Sequence, residues 1–273
     1  MTIAELEDGI TDLHSHLVPG VDDGSRTTED ALEAVQRMID REVSTIVTTP
    51  HLSGLLTRRR DDLETRLADV DRAFAEVSAA IRARHPELTF LRGHEVMLDC
   101  PDPDLSDQRL RLASSDVVLV EWPGLRIPLE TPRVLERLQR QGVRLLIAHV
   151  ERYRGYDEEL ALVEAWRAEG AMLQANYGAL CGRYGEDAKV RMLRMLERGW
   201  VDCLASDFHG RPHLRVHMEC ARRVFEELHA DEAWRLLTRV NPARIVGGAK
   251  PLPVPPIEGE PGLLGKVLSL FRS

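Results

Sequence analysis

No apolar run in this 273-residue chain approaches the roughly 20 residues that a membrane-spanning helix requires, so no bilayer span is expected. The acidic start, Met1 to Asp8, has neither the basic flank nor the apolar stretch of a secretory signal, which predicts a cytoplasmic protein. No Lys/Arg run extends beyond Arg58-Arg59-Arg60, and 36 basic against 45 acidic residues leave a formal charge of -9. A broad nucleic-acid footprint is therefore unsupported, although a small basic pocket remains compatible with that balance. Cysteine is scarce and scattered: Cys100, Cys181, Cys203 and Cys220 form no C-x-x-C pair. In a reducing compartment that indicates neither a disulfide framework nor a thiolate zinc site, and four free thiols are expected. There is also no G-x-S-x-G elbow and no G-x-x-x-x-G-K-[ST] loop, so serine-hydrolase and P-loop readings lack their core residues. Aromatic residues make up only 5%, but 43% apolar and 30% charged residues are ordinary globular usage, which argues against disorder and fibrous repeats.

What is present is an alternation of strand and helix. Short β-rich runs ending in polar residues recur seven times: Ile10 to His14, Ser44 to Thr49, Leu88 to Arg92, Asp116 to Glu121, Arg144 to His149, Ala171 to Asn176 and Asp202 to Ser206. Between most of them lie helical periodicities, such as Ala31, Leu32, Val35, Met38 and Ile39 on one face, opened by a capping pattern of Thr27 with Asp30. The longest helix candidate carries Leu63, Leu67, Val70, Phe74, Val77 and Ile81, a stripe expected to pack against the sheet. Repeated strand and helix imply parallel strands with right-handed crossovers, and a distorted α/β barrel fits the length better than an open sheet. The boundary is placed at 249: residues 1–249 form one domain, and residues 250–273 a tail. Its proline-dense part, 250–262, reads as a linker, and its end, Leu263 to Arg272, as a short amphipathic segment available for packing or a peripheral membrane contact. The tail from about residue 251 is expected to be dispensable for chemistry.

Metal-ligand residue types fall at the strand ends. His14 and His16 end the first strand, His51 follows the second, Glu95 the third, Glu121 and His149 end the fourth and fifth, and Asp207 and His209 follow the seventh. A barrel gathers the C-terminal ends of its strands at one face, so these residues converge. Side chains two apart on an extended strand point to the same side, so His14 with His16, and Asp207 with His209, can each grip one ion. With Asp23, five histidines and four carboxylates exceed what one ion takes, and a cluster of two or three ions follows. Imidazole and carboxylate without thiolate suit manganese, iron or zinc.

The segments Asp12-Leu13-His14-Ser15-His16, Asp22-Asp23-Gly24, Thr49-Pro50-His51, Gly93-His94-Glu95, Val120-Glu121-Trp122, Ala148-His149-Val150-Glu151-Arg152-Tyr153 and Ala205-Ser206-Asp207-Phe208-His209 resemble, in order, the PHP-domain (polymerase and histidinol phosphatase) tyrosine phosphatases of bacterial capsule and exopolysaccharide operons. The likeness runs from about residue 10 to 247. It implies a distorted (β/α)7 TIM-like barrel, the PHP fold, holding three divalent metals, usually manganese. It also implies dephosphorylation of a bacterial tyrosine kinase that governs polysaccharide assembly, by attack of a metal-bridging hydroxide. By the same resemblance His14 and His16 would hold the first metal with Asp207, Glu95 would bridge to a second shared with Glu121 and His149, and Asp23, His51 and His209 would hold the third. Arg152 and Arg211 would clamp the phosphate, supplying planar bidentate donors for its oxygens. Glu151 is a candidate counter-ion for Arg152. Gly210 stands where the family commonly has Asn, with a longer gap before its arginine, and His94, where smaller or amide residues are common, reads as a rim or supporting residue. A thiol mechanism needs C-x5-R, and position six after each cysteine is Ser106, Asp187, His209 or Glu226. Two other readings compete: a small-molecule phosphoesterase of the same fold, such as a histidinol-phosphate phosphatase, and a catalytically silent metal-stabilised scaffold of a polysaccharide complex.

Overall fold

The computed structural model describes residues 3–156 and 160–257. Its strands are β1 (Ile10–Asp12), β2 (Val43–Thr48), β3 (His51–Ser53), β4 (Thr89–Arg92), β5 (Glu95–Met97), β6 (Val117–Glu121), β7 (Arg144–Ile147), β8 (Met172–Asn176) and β9 (Cys203–Ala205). All pairs are parallel, in two sheets ordered β1-β2-β4 and β3-β5-β6-β7-β8-β9. All seven anticipated strands are present. The two additional ones, β3 and β5, prolong β2 and β4 beyond Pro50 and Gly93. Pro50 has no N–H to give the ladder, so the pairing of the two long strands is interrupted beside it. The ladder still runs across the break through Gly93 N–H to Thr48 O (3.0 Å) and Glu95 N–H to Pro50 O (3.2 Å). On the other side a single bridge, Ser15 with Phe208, joins the ends of β1 and β9. The result is a seven-stranded ring closed by short, irregular seams: a distorted α/β barrel.

The helices are α1 (Ile3–Glu7), α2 (Thr28–Ile39), α3 (Arg60–Arg84), α4 (Thr131–Gln139), α5 (Ala161–Ala168), α6 (Tyr177–Leu180), α7 (Glu186–Glu197), α8 (Met218–Glu227), α9 (Asp231–Arg235) and α10 (Asn241–Val246). Thr27 and Asp30 form a reciprocal capping box at the start of α2, as the spacing predicts. On α3 the apolar stripe is buried, and Phe74 stacks on Phe90 of β4 with ring centroids 5.5 Å apart. No helix among the described residues is long and apolar enough to cross a membrane.

Strand alternation divides the core. Outward residues such as Val118, Val120, Leu145, Ile147 and Leu173 pack under the helices. Inward residues such as Leu13, Val47, Val117, Leu119, Leu146, Met172 and Cys203 fill the lower barrel, which Ala243, Ile245 and Val246 of α10 and Leu6 of α1 close from below. The inward sequence on β6 is thus Val117, Leu119, Glu121, and on β8 Met172, Gln174, Asn176. Each strand passes from apolar to polar as it rises toward its C-terminal end.

Two expectations need correction or extension. Cys181, just after α6, and Cys220, in α8, are joined by a disulfide with Cα atoms 6.0 Å apart, while Cys100 and Cys203 are free. The partners lie 39 residues apart and meet only because α6 packs on α8, which no local spacing rule can register. The proline-dense segment, read as a linker, lies on the body as far as residue 257: Val254 and Ile257 are buried, Leu252 and Asn241 exchange two hydrogen bonds, and Ile257 N–H donates to Leu196 O. The terminal amphipathic segment lies outside the described residues. A chain ending at residue 250 is expected to melt roughly 6–24 °C below one ending at residue 257, because it forfeits two buried side chains worth about 1.5–3 kcal/mol each. Equal melting temperatures would show that the contact contributes nothing.

Candidate metal centre

Segments 14–16 and 207–209 run parallel at the barrel seam, with His16 N–H donating to Phe208 O (2.9 Å) and Asp207 N–H to His14 O (2.8 Å). Their i, i+2 side chains share one side, so His14, His16, Asp207 and His209 face the barrel mouth. The His16 and His209 rings stack at 4.2 Å. His149 and Asp207 carry left-handed backbone (φ 34° and 49°), a conformation costly for residues with a Cβ and one that concentrates at functional sites. Asp23 comes from the loop after β1, where Gly24 lets the chain touch His16: a Cβ there would lie 2.1 Å from His16 O.

The nine residues named as candidate ligands form one connected network. Glu95, fully buried, is its hub: Oε2 lies 3.2 Å from His14 Nε2, 3.4 Å from His16 Nε2 and 3.0 Å from His51 Nδ1, and Oε1 lies 2.9 Å from His149 Nε2. Glu121 stands 3.6 Å from both His51 and His149. Asp207 Oδ1 is 3.6 Å from His14 and His16, and Asp23 is 3.4 Å from His51 and 3.3 Å from His209. Three groups are compact enough to surround an ion: His16, Asp23, His51 and His209; His14, His16 and Glu95; His51, Glu95 and Glu121.

Neighbouring hydrogen bonds orient the ring nitrogens. Gln174 Oε1 accepts from His149 N–H (2.9 Å), which identifies it as the amide oxygen, and His14 Nδ1 lies 3.0 Å from it. Asp22 Oδ2 lies 2.8 Å from His16 Nδ1. Both imidazoles therefore donate through Nδ1, which leaves both Nε2 atoms, only 3.2 Å apart and beside Glu95 Oε2, to take up either a proton or a cation. Such a convergence of acceptors is stable only with positive charge among them. Charges follow suit. Burial works to raise the Glu95 carboxyl, but His14 and its imidazole neighbours hold it well below the usual carboxylate range. Burial, then the nearby Glu95 charge, pushes Glu121 up to about 7. Burial opposes a charged His14, yet the Glu95 and Asp207 carboxylates lift it to about 9.

Arg152 Nη1 donates to Asp207 Oδ2 at 2.8 Å, a quarter of its side chain still open to solvent. Its hydrogen-bonded counter-ion is thus Asp207, while Glu151, whose carboxylate accepts from Asn176 N–H (3.3 Å), supports the guanidinium through its charge alone. Arg211 lies over the Asp23 loop, donating through Nε and Nη2 to Asp23 O (3.2 and 2.8 Å). Gly210 before it has φ 58°, and a Cβ there would meet Ser25 Oγ at 2.1 Å, so this short loop needs glycine where a longer one could carry Asn. His94 is not a rim residue. It is fully buried on the opposite side of its strand from Glu95 and donates through Nδ1 to Arg109 O (2.9 Å), bracing the 98–115 loop.

The residues missed by sequence reasoning are the ones that orient the candidate ligands: Asp22, Gln174 and Asn176, the last donating to Asp207 Oδ2 at 2.9 Å. One signal was available for two of them. β8 is the strand that contributes no candidate ligand, yet its inward positions, expected to be apolar, are Gln174 and Asn176.

The chain is similar to known proteins over most of its length. The family model for capsular polysaccharide synthesis, CpsB/CapC, matches residues 10–247. The tyrosine-protein phosphatase YwqE of Bacillus subtilis is 28% identical over 229 residues, covering 83% of this chain and 88% of that protein. The tyrosine-protein phosphatase CpsB of Streptococcus pneumoniae is 25% identical over 242 residues, 86% of this chain and 97% of that protein. Among solved structures, that of the metal-dependent tyrosine phosphatases YwqE and CpsB aligns with a TM-score of 0.71 at 22% identity, over 92% of this chain and 100% of the other. A phosphotriesterase homology protein from Escherichia coli shares the fold more remotely, with a TM-score of 0.53 at 14% identity over 87% of this chain and 98% of the other. By the length of the family match, and with the barrel and its polar mouth in agreement, this chain belongs to the CpsB/CapC family of capsular polysaccharide synthesis.

Proposed function

We propose that this protein is a metal-dependent protein-tyrosine phosphatase. One observation carries the reading: nine imidazoles and carboxylates converge at the barrel mouth with their acceptor atoms turned inward, and an arginine stands beside them. The donor set fits cations, since ring nitrogens of His14, His16 and His51 converge within 3.4 Å of the buried Glu95 Oε2, an arrangement that calls for positive charge, as protons or as metal, among its members. In this reading His14, His16 and Asp207 hold one ion, Glu95, Glu121 and His149 a second, and Asp23, His51 and His209 a third, with manganese first among the candidate metals and iron or zinc as alternatives. Divalent ions there would supply Lewis-acid charge and a nucleophile from water at neutral pH.

The chain's own residues do the rest. Asp22 and Gln174 keep His16 and His14 turned so that Nε2 faces the mouth. Arg152 receives two equatorial phosphoryl oxygens on a planar fork and compensates the charge that grows there. Arg211, next to Asp23, meets the phosphate from the solvent side. Asp23, His51 and His209 keep 67%, 32% and 22% of their side chains exposed, an open rim that suits a phosphotyrosine on a protein segment better than a small enclosed substrate. The substrate in this reading is a tyrosine-phosphorylated protein, with a bacterial tyrosine kinase of polysaccharide assembly as the candidate, in the cytoplasm where nucleotide supports tyrosine phosphorylation.

The test is metal analysis coupled to turnover. The full chain, loaded with manganese, should hydrolyse a phosphotyrosine peptide faster than a phosphoserine peptide or histidinol phosphate, lose that activity to a chelator, and keep it after alkylation of Cys100 under native conditions. Turnover that survives chelation but not alkylation would overturn the metal reading, and a preference for the amino-alcohol phosphate would overturn the protein substrate. Asp22→Asn is expected to weaken metal binding about 10- to 100-fold without changing the number of ions bound at saturation, measured by competition with a chromophoric chelator. Unchanged affinity would mean that His16 needs no orienting carboxylate.

A further inference from the structure

The loop between α6 and α7 carries Arg183 and Tyr184, which neither the ligand set nor the phosphate clamp uses. Tyr184 nevertheless reaches the site. The Arg152 guanidinium carbon stands 4.5 Å from the centroid of its ring, inside the range in which a cation is held by the ring's negative face. The Tyr184 hydroxyl accepts from Asn176 Nδ2 at 3.1 Å, and the same amide nitrogen donates to Asp207 Oδ2, the oxygen that also receives Arg152 Nη1. Arg152 is thereby held in two ways: at one edge by a carboxylate, over one face by an aromatic ring. The Cε2 edge of the ring lies close to Gly178, where a Cβ would come within 3.2 Å of it, and the Arg183 guanidinium carbon stands 5.6 Å from the ring centroid. The ring is thus packed by its own loop and α6 as well as by Arg152.

An arginine beside a carboxylate has a competing conformation, in which both arms of its fork turn onto the carboxylate and none is left for a substrate. A ring covering the guanidinium face sets its plane, so that one edge stays on Asp207 and the other stays open. We propose that Tyr184 is a positioning residue for phosphate recognition, fixing the plane of the Arg152 guanidinium by stacking so that its free edge meets the phosphoryl group. The proposal rests on the phosphatase reading above and deepens it. Tyr184 touches no reacting atom in this scheme and acts through Arg152 alone. Its ring, more than its hydroxyl, carries the effect, because Asn176 is already anchored through Gln174 Nε2, which donates to Asn176 Oδ1 at 2.8 Å.

The experiment uses the full metal-loaded chain with a phosphotyrosine peptide and reads kcat, KM, metal content and melting temperature together. Tyr184→Leu is expected to lower kcat about tenfold with metal content unchanged, and Tyr184→Phe to keep most of the rate. In an Arg152→Ala background Tyr184→Leu should cost nothing further, since the residue it positions is gone. If the Leu variant fails to fold, phenylalanines of increasing ring fluorination placed at position 184 keep the shape and weaken only the cation–ring attraction, and kcat should fall step by step along that series. Three results would overturn the assignment: a Phe variant as slow as the Leu variant, an undiminished Leu effect without Arg152, or a rate indifferent to fluorination. The wild-type rate is read first. A wild-type protein inactive on phosphotyrosine sinks the phosphatase reading itself, whereas normal wild-type turnover with unaltered variants sinks only the role of Tyr184.

Discussion

Replacing Glu95 by glutamine is expected to lower turnover on a phosphotyrosine peptide by a factor of a thousand or more, about 4 kcal/mol of lost stabilisation. The size follows from where the carboxylate sits. It is completely buried, and its two oxygens lie within 3.4 Å of ring nitrogens of His14, His16, His51 and His149, so four imidazoles depend on one anion. Glutamine keeps the volume but removes the charge and turns an N–H2 toward lone pairs. Metal content should therefore fall further than in His209→Ala, which removes a single ligand at the exposed rim. Both variants can be measured by elemental analysis and single-turnover kinetics on the same preparations. A Glu95→Gln protein with full metal content and an ordinary rate would show that the hub of the network is not the hub of the chemistry.

Arg152→Ala is expected to leave metal content and fold intact while reducing turnover roughly a hundredfold, or about 3 kcal/mol, the cost of losing one charge-assisted contact to a developing oxyanion. Lysine should restore only part of the rate, because a point charge cannot form two parallel hydrogen bonds to phosphoryl oxygens. The structure sharpens the alternative. Arg152 pairs with Asp207 at 2.8 Å, so a purely structural arginine would make itself known by freeing that carboxylate: melting temperature or metal affinity would change while the rate per folded molecule did not. A normal rate for the Ala variant on phosphotyrosine peptide would remove Arg152 from the clamp.

Much of this was legible along the chain. Capping of α2 needs only Thr27 and Asp30, three residues apart, and the stripe on α3 needs only helical periodicity, because both are local. The nine ligand candidates were legible for a related reason: metal chemistry uses few residue types, and a strand–helix repeat forces the ends of its strands together. Expectations failed where the deciding contact was remote or where two readings differ only in orientation. Cys181 and Cys220 carry no mark of their pairing until α6 and α8 meet. Glu151 is adjacent to Arg152 in sequence, but the guanidinium gives its hydrogen bond to Asp207, 55 residues away. His94 and Glu95 are neighbours too, and strand alternation sends one into the wall and the other to the centre. Proline predicted irregular backbone for 251–257 correctly, yet composition cannot say whether an irregular segment floats or lies on a surface, and Val254 and Ile257 find a surface to cover.

Sequence alone determined the repeat of parallel strands, the end of the barrel at which the candidate ligands collect, and their residue types, because each depends on residue identity at a spacing that one strand or one helix can express. Tertiary structure decided which nitrogen of each histidine faces the mouth, which carboxylate Arg152 holds, and that Asp22, Gln174, Asn176 and Tyr184 stand behind the candidate ligands and their arginine. Those are properties of hydrogen bonds and ring contacts between segments far apart in the chain. Their energies exist only once the barrel has closed and excluded water from between them.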